Sequence, residues 1–356
     1  MQATANTRKR DDTLDAIKAF AIICVVIAHC IQYGSGQTVL LKELYFEDGL
    51  FRFICSFHMP LFMLVSGYLF SYSLQRGTFK AILGKRLRTL ILPVLSWAVV
   101  VLGIKILSVY VNEGHFMGGK ELFSELLFTF FHHQWFLWAI FWCSMIVMIN
   151  RLLFKDSLLF YSLFLILTLF LPNKHNMALY GFMYPYFVIG YLYNKDWKDR
   201  VKPYSDGILP VILSWALFIA LLLFYDRDSF IYTSGYCILK DGTISWRHLG
   251  IDVYRFFIGL TGSIAIIGIV RLLYARCKSV RFKNAVSFLG MNTLGIYIIS
   301  GVVFNDHLLK TTTLGLSGIN DGIVFLETIV VIAGCLALSW MIKKIKILNL
   351  LLLGGR

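Results

Sequence analysis

Charge is scarce in this 356-residue chain: 15% of residues are charged against 58% hydrophobic, and acidic residues are the scarcer kind, 20 against 34 basic. With a mean hydropathy of +0.71, that excludes an ordinary water-soluble domain. The seven cysteines include no CxxC pair and mostly fall inside apolar runs. They read as small packing residues, not as a disulfide or metal framework. Pro- or Ser-rich linkers, low-complexity tracts and fixed-period repeats are missing as well, which argues for a single domain. No small-residue cleavage site follows the first apolar run, so no removable signal is expected. The net charge of +14 has no exposed soluble domain to present it to a duplex, and nucleic acid is not expected as a partner.

What the chain has instead is apolar length and aromatic residues (30 Phe, 18 Tyr and 8 Trp). Stretches near 13–33, 51–72, 89–111, 134–150, 157–172, 178–194, 207–225, 252–272, 285–304 and 323–342 are long enough, or nearly so, to cross a bilayer. The expected fold is an all-α, polytopic transmembrane helix bundle of about ten spans. Pro93, Pro172, Pro185 and Pro210 sit near ends or at possible kinks, which membrane helices tolerate. With the N-terminus in the cytoplasm, 23 of the 34 lysines and arginines fall on the inner side and 8 on the outer. Under the positive-inside rule both termini are then cytoplasmic. The expected organisation is an N-terminal tail (1–12), an integral-membrane domain (13–345) and a C-terminal tail (346–356). The longest outer loops, 34–50, 112–133 and 226–251, have room to help hold a large polar acceptor.

Ionisable residues inside such spans carry the chemistry. Lys18 and His29 share the first span and lie eleven residues apart, about three turns or roughly 16 Å, so they project from one face. A lysine near a span end commonly snorkels, and a histidine commonly bonds a neighbouring helix. Buried ionisable groups are costly in hydrocarbon, however, and point to function. His58 opens the second span in Ser56-Phe57-His58-Met59-Pro60-Leu61-Phe62, followed by Ser66-Gly67-Tyr68. It enters from the outer side, toward the level of His29. Lys85-Arg86-Leu87-Arg88 precedes Pro93 at the inner start of the third span. Such a cluster serves orientation and lipid headgroups, or a phosphate clamp. His132-His133-Gln134-Trp135 begins the fourth span. Adjacent histidines point to different helix faces and no carboxylate or cysteine joins them at ligand spacing, so no metal site is expected. Tyr184-Pro185-Tyr186 through Tyr191 reads as a packing and kink element.

In this order the segments resemble the integral-membrane acyltransferase-3 family, which acylates cell-surface polysaccharides and related acceptors. The matching pieces are Leu14-Asp15-Ala16-Ile17-Lys18 with His29; Phe57-His58-Met59-Pro60 with Ser66-Gly67-Tyr68; Lys85-Arg86-Leu87-Arg88 with Pro93; Trp135-Phe136-Leu137; and Gly290-Met291-Asn292-Thr293-Leu294-Gly295-Ile296-Tyr297. The chain is most similar to fucose-4-O-acetylase-like members. It departs from the pattern at Lys18, where many members carry arginine, and at Ser300, where the later motif often ends in histidine. No hydrolase domain is expected after the membrane domain, where some relatives carry one.

The resemblance implies an O-acetyltransferase of a bacterial inner membrane, with cytoplasmic acetyl-CoA as donor and no metal. The acceptor it implies is a sugar hydroxyl of a cell-surface polysaccharide or its lipid-linked precursor. Lys18, Lys85, Arg86 and Arg88 are then the donor-binding residues, and the rise from Lys18 to His29 is comparable with an extended pantetheine arm. His29 is expected as general base, with His58, Tyr68 or Trp135 stabilising the oxyanion or orienting the acceptor. A transporter or flippase for a small metabolite or lipid-linked sugar is the alternative, although paired broken helices and internal repeats are not evident.

Overall fold

The computed structural model describes residues 11–33, 44–205, 207–240, 243–305 and 321–355. Most of loop 34–50 and the residues Arg8, Lys9, Arg10, Lys42 and Lys310 lie outside them. The described chain is helical almost throughout, as hydrocarbon demands when every peptide group must be bonded within its own segment. Its helices are α1 (Asp12–Tyr33), α2 (Gly49–Arg76), α3 (Phe79–Glu113), α4 (Gly119–His132), α5 (Trp135–Phe154), α6 (Leu158–Thr168) and α7 (Met177–Leu192). Then follow α8 (Lys198–Ser205), α9 (Ile208–Leu222), α10 (Trp246–Arg276), α11 (Val280–Met291), α12 (Thr293–Asn305), α13 (Asp321–Lys344) and α14 (Lys346–Leu353). A two-residue antiparallel pair, β1 (Leu239–Lys240) and β2 (Thr243–Ile244), precedes α10, with Leu239 opposite Ile244.

Among the described residues, six helices are long and apolar enough to cross a bilayer: α1, α2, α3, α5, α10 and α13. Each remaining apolar stretch of the sequence also falls on a helix. Of these, α6 and α9 are short apolar helices of 11 and 15 residues. The stretch 285–304, expected as one straight span, is two helices bent by 62°. Asn292 sits at the corner with non-helical backbone angles. Its side chain donates to the Phe288 carbonyl at 2.8 Å and accepts from Lys343 Nζ at 2.8 Å. The corner is therefore tied to α13 as well as to its own helix. Residues 112–133, expected as a loop, are mostly α4, tied to α3 by a 2.6 Å ion pair between Lys105 and Glu125.

Helix starts follow ordinary capping rules. Asp48 accepts from Phe51 N at 2.6 Å to begin α2, and Ser245 accepts from His248 N at 3.4 Å to begin α10. Inside α3 the ladder widens to a π turn at Leu87–Ile91. Pro93 follows; lacking an N–H, it leaves the Thr89 carbonyl without its usual partner, a common setting for such a turn.

The centre of the bundle is α1, packed on α2, α10, α11, α12 and α13. Against it, α2 and α7 cross at two glycines. A Cβ at Gly67 would overlap the Phe187 carbonyl, and one at Gly190 would overlap that of Leu64, so only glycine permits this backbone-to-backbone approach. The segment expected as a C-terminal tail contains α14, which packs on α3. The Trp97 indole N–H donates to the Leu352 carbonyl at 3.0 Å.

Candidate active site

The start of α1 places an ion pair at one end of the bundle. Lys18 Nζ lies 2.7 Å from Asp15 Oδ1, one turn earlier, and Ser287 of α11 donates to Asp15 Oδ2 at 3.3 Å. Asp15 is buried, and Gly290 lets α11 press directly on its backbone. The lysine side chain keeps 20% exposure. Asp15 thus holds the ammonium at the mouth of a cavity and leaves it two further N–H donors.

That cavity, of about 270 Å³, is lined at its charged end by Lys18, Lys85 and Arg86, and along its length by Ser73, Leu69, Ser66, Phe62 and Met59 of α2. From Ser73 to Met59 is fourteen residues of helix, about 21 Å. Phe136 of α5 and Tyr297 of α12 also line it, and Met59 adjoins His58. The bend at Asn292 puts Met291, Thr293 and Leu294 in the wall. The result is a narrow apolar shaft with cations at one mouth. Lys85 and Thr89 also border a neighbouring cleft of about 690 Å³, with Arg88, Gly354 and Gly355. Arg86 stacks over the Phe70 ring at 4.5 Å, a cation–π contact that positions its guanidinium beside the mouth. The four cations of the sequence reading therefore gather at one end of the protein.

At the other end stand the two histidines. His58 Nδ1 is 2.8 Å from the Ile54 carbonyl. A carbonyl only accepts, so this nitrogen carries the proton and the neutral ring presents its lone pair at Nε2. His29 is close enough to His58 to interact with it electrostatically, and its ring lies 6.1 Å from that of Tyr33. Both histidines are half-buried and neither lines the shaft; His58 is the chain neighbour of Met59, which does. Tyr297 accepts from the backbone N–H of Phe136 at 3.4 Å, and Trp135 precedes that residue. The Trp135 ring packs edge-on against Phe136 at 5.8 Å and does not line the shaft.

Tyr68 lies apart from this group. It does not line the shaft; its hydroxyl accepts from Lys198 Nζ at 2.8 Å and pairs with Tyr72 at 3.2 Å. His132 turns back to the Phe128 carbonyl at 2.9 Å. Among the described residues no group of three or more His, Cys, Asp or Glu could hold a metal ion. Sequence reasoning did not single out Asp15, Tyr33 or Arg255. The i,i+3 spacings of Asp15 with Lys18 and of Asp252 with Arg255 were the available signals for two of them.

A family model described as an acyltransferase domain matches residues 11–344. The nodulation protein NolL of Mesorhizobium japonicum (strain LMG 29417 / CECT 9101 / MAFF 303099) is 27% identical over 308 residues, covering 84% of this chain and 78% of its own. NolL of Sinorhizobium fredii (strain NBRC 101917 / NGR234) is 26% identical over 310 residues, covering 85% of this chain and 80% of its own. No solved structure matches. This decides between enzyme and transporter: the chain is a membrane-embedded acyltransferase and belongs to the acyltransferase-3 family.

Proposed function

We propose that this acyltransferase moves an acetyl group from acetyl-CoA to a sugar hydroxyl of a cell-surface polysaccharide or its lipid-linked precursor, across a bacterial inner membrane. The observation that carries the reading is the shaft, which runs from a cationic mouth along α2 as far as Met59, the chain neighbour of His58. Lys85 and Arg88, with Lys18 and Arg86 behind them, suit the phosphates of the donor. The apolar walls suit its pantetheine arm, and about 21 Å of α2 brings the thioester to the level of His58. The charge bias of the loops assigns the cationic mouth to the cytoplasm and the histidine end to the outer side. Both termini then lie on the cytoplasmic side.

In this mechanism the sugar hydroxyl attacks the thioester carbonyl while His29, neutral in its desolvated setting, takes the hydroxyl proton. Collapse of the tetrahedral intermediate expels the thiolate of CoA, which recovers the proton from His29. His58, with its proton committed to Ile54, offers a lone pair at Nε2 and orients the acceptor hydroxyl. The neutral ring has no second N–H for an oxyanion, so that role falls to the Trp135 indole N–H or the Tyr297 hydroxyl. Tyr68 acts outside the chamber, steadying the inner end of α2 through Lys198.

The test is transfer by the purified chain from radiolabelled acetyl-CoA, with and without surface glycan. Acceptor-dependent, alkali-labile label is the expected result. Its absence with every sugar acceptor tried would overturn the reading.

A further inference from the structure

A turn of two glycines after α14 lies against the cationic end of the bundle. The helix is docked on α3 by the Trp97 indole, which donates to the Leu352 carbonyl at 3.0 Å. Past Leu353 the backbone is left-handed twice, with φ of +70° at Gly354 and +74° at Gly355. The N–H groups of these glycines bond back to the Leu350 and Asn349 carbonyls at 3.1 and 2.9 Å, an ordinary glycine stop. Both are therefore spent within the helix end, and an anion nearby has to be held by side chains. The turn packs on Arg88 and Thr89, which sit in the π turn of α3. A Cβ at Gly354 would stand 2.7 Å from the Thr89 Cα, and one at Gly355 would stand 2.8 Å from Nη2 of Arg88. The absence of a side chain at Gly355 thus leaves the space that the Arg88 guanidinium occupies.

Two cavities meet beside this turn. The cleft of about 690 Å³ is bordered by Gly84, Lys85, Arg88, Thr89, Gly354 and Gly355. The shaft of about 270 Å³ shares Lys85 and Thr89 with it, but not Arg88. Ligand pockets usually run from roughly 300 to 1,000 Å³. The cleft has room for a nucleotide, and the shaft only for a linear arm. A coenzyme A thioester divides in the same way, into a 3′-phosphorylated adenosine, a diphosphate and the arm. With the arm in the shaft, the diphosphate falls at the junction, beside Lys85. The 3′-phosphate, carried on the ribose, falls in the cleft with Arg88, whose planar fork matches a phosphate.

We propose that the Gly354–Gly355 turn holds the Arg88 guanidinium in the cleft as the reader of the donor's 3′-phosphate, so that the enzyme prefers coenzyme A to its 3′-dephospho form. Gly355 is a positioning residue, acting through Arg88. Lys85 serves the diphosphate that both forms carry. The inference rests on coenzyme A as the donor, proposed above, and not on the acceptor.

The experiment measures binding of coenzyme A and of 3′-dephospho-coenzyme A to the full chain by titration calorimetry, in neutral detergent without anionic lipid. The parent is expected to bind coenzyme A about tenfold tighter, the worth of one charge-assisted phosphate contact. Gly355→Ala meets only the far end of the Arg88 side chain, and is expected to lose that preference by weakening coenzyme A alone. Gly355→Asn suits left-handed backbone better but carries the same Cβ, so it is expected to lose the preference too. In Arg88→Ala the preference is expected to be gone already, and adding Gly355→Ala is expected to change nothing further. Lys85→Ala is expected to weaken both ligands together. Equal affinity of the parent for the two ligands overturns the inference, as does a preference kept in Gly355→Ala. A preference regained in Gly355→Asn also overturns it, by tracing the loss to backbone strain. Failure of the parent to bind coenzyme A overturns the proposed donor, and this inference with it. Binding with the expected preference but no transfer to any sugar overturns the proposed acceptor and leaves this inference standing.

Discussion

Lys18 Nζ and Asp15 Oδ1 are 2.7 Å apart, one helical turn from each other at the mouth of the apolar shaft. The pair converts a flexible cation into a placed one. Asp15 is buried under α11 while the lysine retains partial exposure, so the ammonium is oriented without being fully neutralised. Removing the carboxylate leaves the cation to swing outward. Asp15→Asn is expected to raise the acetyl-CoA KM several-fold and to cost about 1–2 kcal/mol of stability, discounted for the lysine's exposure. Donor kinetics and thermal unfolding in detergent check both, and Lys18→Arg is expected to preserve activity because the charge and an Asp15 partner remain. Unaltered donor KM in Asp15→Asn would show that the pair serves packing alone.

His29→Ala is expected to lower kcat by about 10²–10⁴-fold, the usual worth of a positioned proton acceptor, with acetyl-CoA binding retained. Transfer at the parent rate by that variant would remove His29 as the base. His58→Asn separates the two nitrogens of the second ring. The amide N–H can replace Nδ1 toward the Ile54 carbonyl but supplies nothing at the Nε2 position. Loss of kcat with normal thermal stability is the expected outcome, and full activity would confine His58 to a structural bond.

The cationic mouth is open, with Lys85 and Arg88 exposed, so its attraction for phosphate is screened by salt. The acetyl-CoA KM is expected to rise with ionic strength. Replacing both Lys85 and Arg88 by alanine is expected to raise it about tenfold at low salt and to flatten the salt dependence, with kcat little changed. A steep salt dependence surviving in the double variant would place the phosphates elsewhere.

The crossing of α2 with α7 depends on the absence of two side chains. Gly67→Ala and Gly190→Ala each force a methyl onto a carbonyl of the facing helix, and overpacking of this kind costs about 1–3 kcal/mol. Lowered thermal midpoints in detergent and reduced yield are expected. Gly103→Ala, with nothing near the added methyl, is the matched control and is expected to be neutral. Equal behaviour of all three would mean that the helices part without penalty.

Much of this protein is legible from its amino-acid order because lipid restricts the choices. A run of twenty apolar residues has to bond its own peptide groups, so the ten apolar stretches all emerge as helices. Helical periodicity likewise puts Lys18 and His29 on one face three turns apart. The cations of the 85–88 segment needed no structure to be found, only to be grouped with Lys18.

Local periodicity is silent wherever a residue's partner comes from another helix or a loop. It could not show that the 285–304 stretch bends at Asn292, since Lys343 of α13 completes that corner. Nor could it send Tyr68 toward Lys198, away from the shaft. Arg255 reads in sequence as one more charge at the edge of a span, and only the folded chain shows its fork holding residues 228–235 of the preceding connection. Composition and spacing determined which segments are apolar helices and which charges they carry. Packing between distant segments decided which side chains share a chamber, because hydrogen-bond geometry and close backbone contact are properties of neighbours in space.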